Sequence, residues 1–442
     1  MRVTLADLLP ARRSSRYSQL EADLWPSTAR SAPSGDVTVG GVRLTDVAAR
    51  FGTPVQVLDT ADIRARCRSY RCALPDAEIA YAGKAFLCRA IARLVEEEGL
   101  SLDVCSAGEL AVGRAAGFPG RRLVLHGNVK TAEDFKAALA AGVGRIVVDS
   151  VEEIDTLGDL AVRPQRVLIR VTPGANGHTH RMVTTGIEGP RFGFSLATGA
   201  ALDAVAQILA RPALRLVGVH CHLGSQITAV TGFELATHRM TGLLAECAQR
   251  HGIVLAELHL GGGHGSGELD LLGLARRVRI ALSLECARHG IPWPRLTVEP
   301  GRAIVSRAGV TVYRVAAVNS VGDGRRIIAM DGEMSDNPQL AGYLARYPVR
   351  VIGRKVDAPL RPATVIGRHC ESGGLLAQDV HLPDDVHAGD LLAVPCSGAY
   401  HHSMTSTYHL AGRPAVLALA EGHADLLVRQ ETEQDLLRRD IG

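Results

Sequence analysis

Four short stretches set reactive side chains at the ends of apolar runs. In "YAGKAFLC" Lys84 closes one run, where an amine is either a snorkelling surface group or a desolvated nucleophile ready to form a Schiff base. In "HCHLGSQ" His220, His222 and Ser225 follow a Val-rich run. A satisfied core residue is the plain reading of either histidine, and metal binding would need a third ligand that the spacing does not supply. No metal is expected. In "LGGGHG" Gly261, Gly262 and Gly263 let backbone N–H groups approach a phosphate closely. The stretch lacks the lysine and Ser/Thr of a P-loop and the spacing of a dinucleotide fingerprint, which disfavours nucleotide hydrolysis and NAD. In "VEPGR" Glu299, Gly301 and Arg302 end the last run, and alone they read as an ordinary ion pair beside a turn.

Together the four do more than each does alone. A lysine amine, a ring-sized histidine, a glycine cradle and a carboxylate could hold pyridoxal phosphate, with Lys84 on its aldehyde and Glu299 on its pyridine nitrogen.

Such groups need a scaffold that brings distant strand ends together. Runs rich in Val, Ile and Leu recur at "VQVLD", "EIAYAG", "LSLDVCS", "RLVLHG", "RIVVDS", "RVLIRV", "LRLVGVHCH", "LAELHLGGG" and "RLTVEPG", with segments of helical character between most of them. Ser150 with Glu153 reads as a capping box and Thr131 with Asp134 as a weaker relative, while Gly99, Gly117 and Gly142 sit where helices stop. About eight such units predict a (β/α)8 TIM barrel over residues 55–305, whose strand C-termini form the active face. From residue 306 to 442 the pattern turns to short strands separated by Gly, Pro and Asp, a second, mostly β domain. Residues 1–36 read as a loosely held arm. Residues 37–54 carry a strand and helix that join the β domain, the strand being expected to pair with the later ones.

Composition narrows the function classes. A chain of 442 residues is long enough for two domains, and a net charge of +3 gives no basic field for nucleic acid. Nine cysteines without a CxxC pair read as reduced thiols, which points to the cytoplasm. There is no apolar run long enough for a membrane span and no secretory leader, so small molecules or protein subunits are the expected partners.

In their order along the chain, "YAGKAF", "DVCSAGEL", "HGNVK", "HCHLGSQI", "LGGG", "EPGR", "DGEMSDN", "HCESG" and "GAYHHSM" resemble diaminopimelate decarboxylase, a fold-type III pyridoxal-phosphate enzyme, from about residue 40 to the end. The resemblance implies an alanine-racemase-like barrel followed by a C-terminal β-sandwich or barrel domain, working as a homodimer with shared active sites. By motif, Lys84 is implied as the Schiff-base lysine, and His222 would stack on the cofactor ring. Ser225, Gly262, Gly263 and Tyr400 would contact its phosphate, Gly301 and Arg302 would flank it, and Glu299 would pair with its pyridine nitrogen. Cys370 resembles the thiol that enters from the partner subunit and protonates the carbanion. Glu371 resembles a reader of the substrate's distal amino group, while Arg302, Tyr343 and Tyr400 resemble further substrate contacts. The implied reaction removes carbon dioxide from the D-configured centre of meso-diaminopimelate and yields L-lysine.

Departures gather at the substrate's far end. Gln339 stands where the family usually has an arginine, which would forfeit a charge-assisted bond of about 1.5 to 3 kcal/mol unless another group such as Arg346 replaces it. Gly374 replaces a usual aspartate, Val129 a common asparagine, and the surroundings of His401, His402 and Thr407 are atypical. A decarboxylase acting on a relative with a different distal group is therefore the alternative. An amino-acid racemase is disfavoured by Glu299, because the alanine racemase type sets an arginine against the nitrogen. A silent regulatory homologue is disfavoured by the retention of Lys84 and Cys370.

Overall fold

The computed structural model describes residues 19–175, 192–266, 269–320, 322, 325–332, 335–337, 348–370 and 374–442. The chain divides into two compact units, residues 64–304 and residues 1–63 with 305–442.

In the first unit eight parallel strands close into a ring. They are β1 (Glu78–Ala82), β2 (Ser101–Val104), β3 (Leu123–Leu125), β4 (Arg145–Val148), β5 (Gln165–Thr172), β6 (Leu214–His220), β7 (Glu257–His259) and β8 (Arg295–Val298), each paired with the next and β8 with β1. Helices α1 (Arg89–Glu97), α2 (Ala107–Ala115), α3 (Ala132–Ala141), α4 (Val151–Leu160), α5 (Ala200–Leu209), α6 (Thr231–His251) and α7 (Leu271–His289) alternate with them. This is the TIM barrel that the strand rhythm predicts. Leu102, Val124, Val147 and Leu258 are fully buried, each such burial contributing about 1.5–3 kcal/mol. Because side chains two apart on a strand share a face, Ser101 with Asp103 and Glu257 with His259 form pairs that point the same way.

The helix signals come out in reversed strength. Thr131 and Asp134 form the complete reciprocal capping box at the start of α3, and Gly142 ends that helix in the left-handed conformation. Ser150 Oγ accepts from Glu153 N, but the Glu153 carboxylate does not return the bond. It instead takes the Lys130 ammonium at 2.6 Å and the backbone N–H groups of Lys130 and Asp149 at 2.8 Å each. A buried cation outcompetes a local cap.

"VQVLD" is a correction to the barrel's limits. Val55–Asp59 pairs antiparallel with Gly309–Ser320 and parallel with Ala415–Ala420, inside the sheet of the second unit. Its residues are all buried, so its apolar rhythm matched that of a barrel strand. Val37–Val39 is also placed differently from expectation. Among the described residues it pairs with Arg30–Ser31 and Val42–Arg43 in a small sheet of its own, and it reaches the β domain by packing, its valines sharing a core with Trp25, Val57, Val310 and Leu417. Gly309–Ser320 is the central strand of that domain, pairing also with Arg326–Met330 and Leu391–Pro395.

Candidate active site

The mouth of the barrel, at the C-terminal ends of the strands, collects the residues that could do chemistry. Lys84 sits in a single 3-10 turn, Gly83–Ala85, directly after β1. That turn is tied to the end of β8 by Ala82 N donating to Pro300 O at 3.1 Å, which sets Lys84 beside the Glu299–Arg302 segment. His222 and Ser225 follow β6, and His222 Nδ1 accepts from Gly262 N at 3.2 Å. Burial holds the His222 pKa well below its ordinary value, with Lys84 and Arg170 adding to the effect.

Gly262 and Gly263 are required by close backbone approach. A Cβ on Gly262 would fall 2.2 Å from the Glu299 carbonyl oxygen, and one on Gly263 would fall 2.1 Å from the Gly224 carbonyl oxygen. The glycine loop is thus laid directly on the segments that carry Glu299 and Ser225. Its far side is fixed by Ile227 N donating to Gly263 O at 2.8 Å and Gly265 N to Ile227 O at 3.0 Å.

Glu299 lies beneath the loop, 2 % exposed, with histidines converging on it. Its Oε2 is 3.2 Å from His220 Nε2 and 3.5 Å from His126 Nδ1, and its Oε1 is 3.5 Å from His259 Nδ1. Burial alone would push this carboxyl up, yet His220, His126 and His259 outweigh it and hold it well below the usual carboxylate range. His126 also lies 3.7 Å from Asp103, and the two carboxylates together raise its pKa against the effect of burial. His220, fully enclosed, is pushed down to about 3, chiefly by desolvation. His126, His220 and Glu299 bring ligand-type atoms within 4.8 Å of one another. The third polar partner that the His220–His222 spacing lacked thus comes from the ends of β3 and β8.

Several atoms of this cluster have no hydrogen-bond partner although they are buried: both oxygens of Asp103, both ring nitrogens of His126, and Glu299 Oε1. Orphaned polar atoms beneath a glycine cradle suit a polar ligand. A heterocycle whose ring nitrogen carries a proton and whose side arm carries a phosphate, as in pyridoxal phosphate, fits both features.

Cys370 and Tyr400 lie in the second unit. Cys370 is exposed, Gly367 N donates to Gly374 O at 3.0 Å, and His369, the neighbour of Cys370, is buried against Tyr408 and His409. Tyr400 has a positive φ of 60° and follows a loop pinned by Gly398 N to Ser306 O at 2.9 Å and by Gln56 Nε2 to Ser397 O at 2.6 Å. Gln339, Tyr343 and Glu371 lie outside the described residues, as does Arg346. Sequence reasoning missed Asp103, His126 and His259. Asp103 and His126 stand within motifs it did quote, "DVCSAGEL" and "HGNVK", so the strand-end rule that selected Lys84 was available for both.

Comparison with known proteins agrees with this chemistry. Residues 60–306 match the family model described as "Pyridoxal-dependent decarboxylase, pyridoxal binding domain". The diaminopimelate decarboxylase of Actinosynnema pretiosum subsp. auranticum is 56% identical over 99% of this chain and 100% of that one. That of Mycobacterium tuberculosis (strain ATCC 25618 / H37Rv) is 44% identical over 96% of this chain and 98% of its own. Among solved structures, the diaminopimelate decarboxylase from M. jannaschii in complex with L-lysine superposes with a TM-score of 0.87 at 28% identity, covering 95% of this chain and 99% of that chain. Fold, buried carboxylate, glycine loop and relatives together place the chain in the diaminopimelate decarboxylase family of pyridoxal-phosphate-dependent enzymes.

Proposed function

We propose that the protein removes the carboxylate from the D-configured centre of meso-diaminopimelate and releases L-lysine. The observation that carries this reading is the Glu299 carboxylate, buried and anionic beneath the Gly261–Gly263 loop and beside the Lys84 turn. Pyridoxal phosphate, when bound, supplies the electron sink that accepts the electron pair left as carbon dioxide departs.

The chain's own groups have separate tasks. Lys84 offers the amine that anchors the aldehyde and yields it to the substrate. Gly262, Gly263, Ser225 and Tyr400 would hold the phosphate, while His222, its ring kept neutral by burial, would pack against the cofactor. Glu299 keeps a proton on the ring nitrogen, because an anion in a low-dielectric site favours a protonated partner. Gly301, where a Cβ would fall 2.9 Å from the Ala82 carbonyl oxygen, lets the chain lie against the Lys84 turn beside the cofactor site, and Arg302 would hold a substrate carboxylate. Cys370 delivers the proton to the carbon that has lost its carboxylate, into the site of the partner subunit. This makes the working form a homodimer. Gln339, Tyr343 and Glu371 face the distal end of the substrate, and the enzyme works in the cytoplasm. Among the described residues no helix is long and apolar enough to cross a membrane.

Steady-state rates with meso-diaminopimelate, D-lysine, D-ornithine and D-arginine test the reading. A kcat/KM for meso-diaminopimelate at least about a hundredfold above the others is expected, the scale of a pair of charged contacts to the distal group. Preference for one of the others would establish the alternative substrate. Lys84→Ala should abolish the visible absorbance of the loaded enzyme, and Cys370→Ala should suppress carbon dioxide release.

A further inference from the structure

His259 occupies a position that the reaction as described does not use. It lies on β7 two residues after Glu257, so both side chains turn into the barrel. Glu257 belongs to an ion network at the opposite, N-terminal end of the barrel: it takes Arg145 at 3.0 Å and Arg295 at 3.0 Å, and Arg166 as well. His259 Nε2 lies 3.2 Å from Glu257 Oε2, and its Nδ1 lies 3.5 Å from Glu299 Oε1. The imidazole is fully buried between two carboxylates, one from each end of the barrel.

A neutral imidazole has one donor nitrogen and one acceptor nitrogen. An acceptor lone pair turned toward a carboxylate oxygen, with water excluded, is repulsive. We propose that His259 is a positioning residue for Glu299: an imidazole in contact with Glu257 of the ion network on one nitrogen and set against the cofactor-facing carboxylate on the other, so that it holds that carboxylate in place. The inference rests on the reading that Glu299 faces the ring nitrogen of the cofactor.

The other groups around His259 come from several strands of the barrel. Glu257 on its own strand and Glu299 after β8 are anions. Arg145, at the start of β4, meets the same Glu257 Oε2 at 3.0 Å. His220 on β6, with ring centroids 6.3 Å away, turns only one nitrogen to Glu299 and is neutral. The carboxylate therefore has His220 and His126 on one oxygen and His259 on the other, which fixes its orientation as well as its charge. Without His259, Glu299 is flanked on one oxygen only and holds the ring nitrogen's proton less firmly.

His259→Asn keeps a hydrogen-bond donor but is too short to touch both carboxylates, and Glu257→Gln keeps an acceptor and removes the lower anion. Both are to be prepared loaded with pyridoxal phosphate and read by kcat, KM, cofactor Kd, thermal midpoint and the pH at which the visible absorbance changes. His259→Asn is expected to lower kcat about tenfold with KM within about twofold, and to move the absorbance transition by about one pH unit, the two being the same change in free energy. Glu257→Gln should move the transition the same way by less. A lower thermal midpoint with an unmoved transition and unchanged kcat overturns the proposal and leaves His259 a packing residue. If His259→Asn does not fold, His259→Gln takes its place, and transitions equal to wild type in both His259→Gln and Glu257→Gln overturn it equally. Wild-type enzyme with no visible band would instead overturn the cofactor reading of Glu299.

Discussion

Glu299 Oε2 and His220 Nε2 meet at 3.2 Å inside the barrel, and neither side chain reaches solvent. Desolvation penalises charge on both groups. The outcome is nevertheless asymmetric, with the carboxylate kept ionised and His220 kept neutral, because Glu299 also draws on His126 and His259. A neutral imidazole can still donate its one N–H, so His220 orients Glu299 without competing for its charge.

That asymmetry gives the first prediction. Glu299→Gln keeps the size and the hydrogen bonds of the side chain and removes its charge. The expected result is a fall in kcat of about a hundredfold with KM changed only a few-fold, the scale of losing one preorganised electrostatic partner. Stopped-flow or steady-state kinetics with meso-diaminopimelate would check it, and a kcat within threefold of wild type would remove Glu299 from its assigned role.

Gly262→Ala tests the glycine loop. Its Cβ has 2.2 Å to the Glu299 carbonyl oxygen, so loop and strand end must separate, whereas Gly265→Ala meets its nearest atom, Ile227 O, at 3.3 Å. A displacement near 1 Å at a reacting centre costs about a hundredfold. Gly262→Ala should therefore weaken cofactor binding and lower kcat/KM on that scale, while Gly265→Ala should have a much smaller effect. Cofactor titration by quenching of protein fluorescence separates the two.

What could be read from sequence follows from how local each signal is. Lys84, the triple glycine and Glu299 announce themselves because each closes an apolar run, where barrel chemistry belongs. His259 lies within a run, and nothing local to "ELHLG" shows that its two nitrogens face carboxylates from opposite ends of the barrel. Only closure of β7 against β8 does that. "VQVLD" was misplaced for a related reason: a strand buried on both faces looks the same whichever sheet takes it, and its partner, Gly309–Ser320, is far along the chain. Glu153 shows the same effect at a helix end, where Lys130 takes a carboxylate that the local motif had assigned to a cap.

Val129 is a departure that the backbone makes legible. Its φ is 54°, in the left-handed region, and it is 83 % exposed, so no packing offsets the strain of a β-branched residue there. The cost is about 1–2 kcal/mol for an L-residue, and asparagine tolerates the conformation better. Val129→Asn should raise the free energy of unfolding by about 1 kcal/mol. Urea denaturation with an unchanged m-value would verify it, and a loss of stability would show that the valine is not strained.

Stability should peak near neutral pH, for reasons on both sides. Glu78 and Glu257 each feel burial, but Arg145 at Glu78, and His259 followed by Arg145 at Glu257, prevail and lower both to about 2, against about 4.3 in an unfolded chain. Desolvation lowers His220 to about 3 and His264 to about 4, against about 6.5 unfolded. All four are depressed in the folded state, so the unfolded chain binds more protons as pH falls. The contribution of the histidines is complete above pH 6.5 and is lost below it, and that of the carboxylates is lost from about 4.3 toward about 2. His126 is raised, so its contribution is complete below pH 6.5 and disappears as pH rises through its folded value. Urea unfolding of the loaded enzyme should lose on the order of 6 kcal/mol between pH 7 and pH 4, mainly from the two buried neutral histidines, each contributing about 3 kcal/mol. His264→Asn, which removes one of them, should flatten that slope, and an unchanged slope would mean that His264 titrates alike in the folded and unfolded protein.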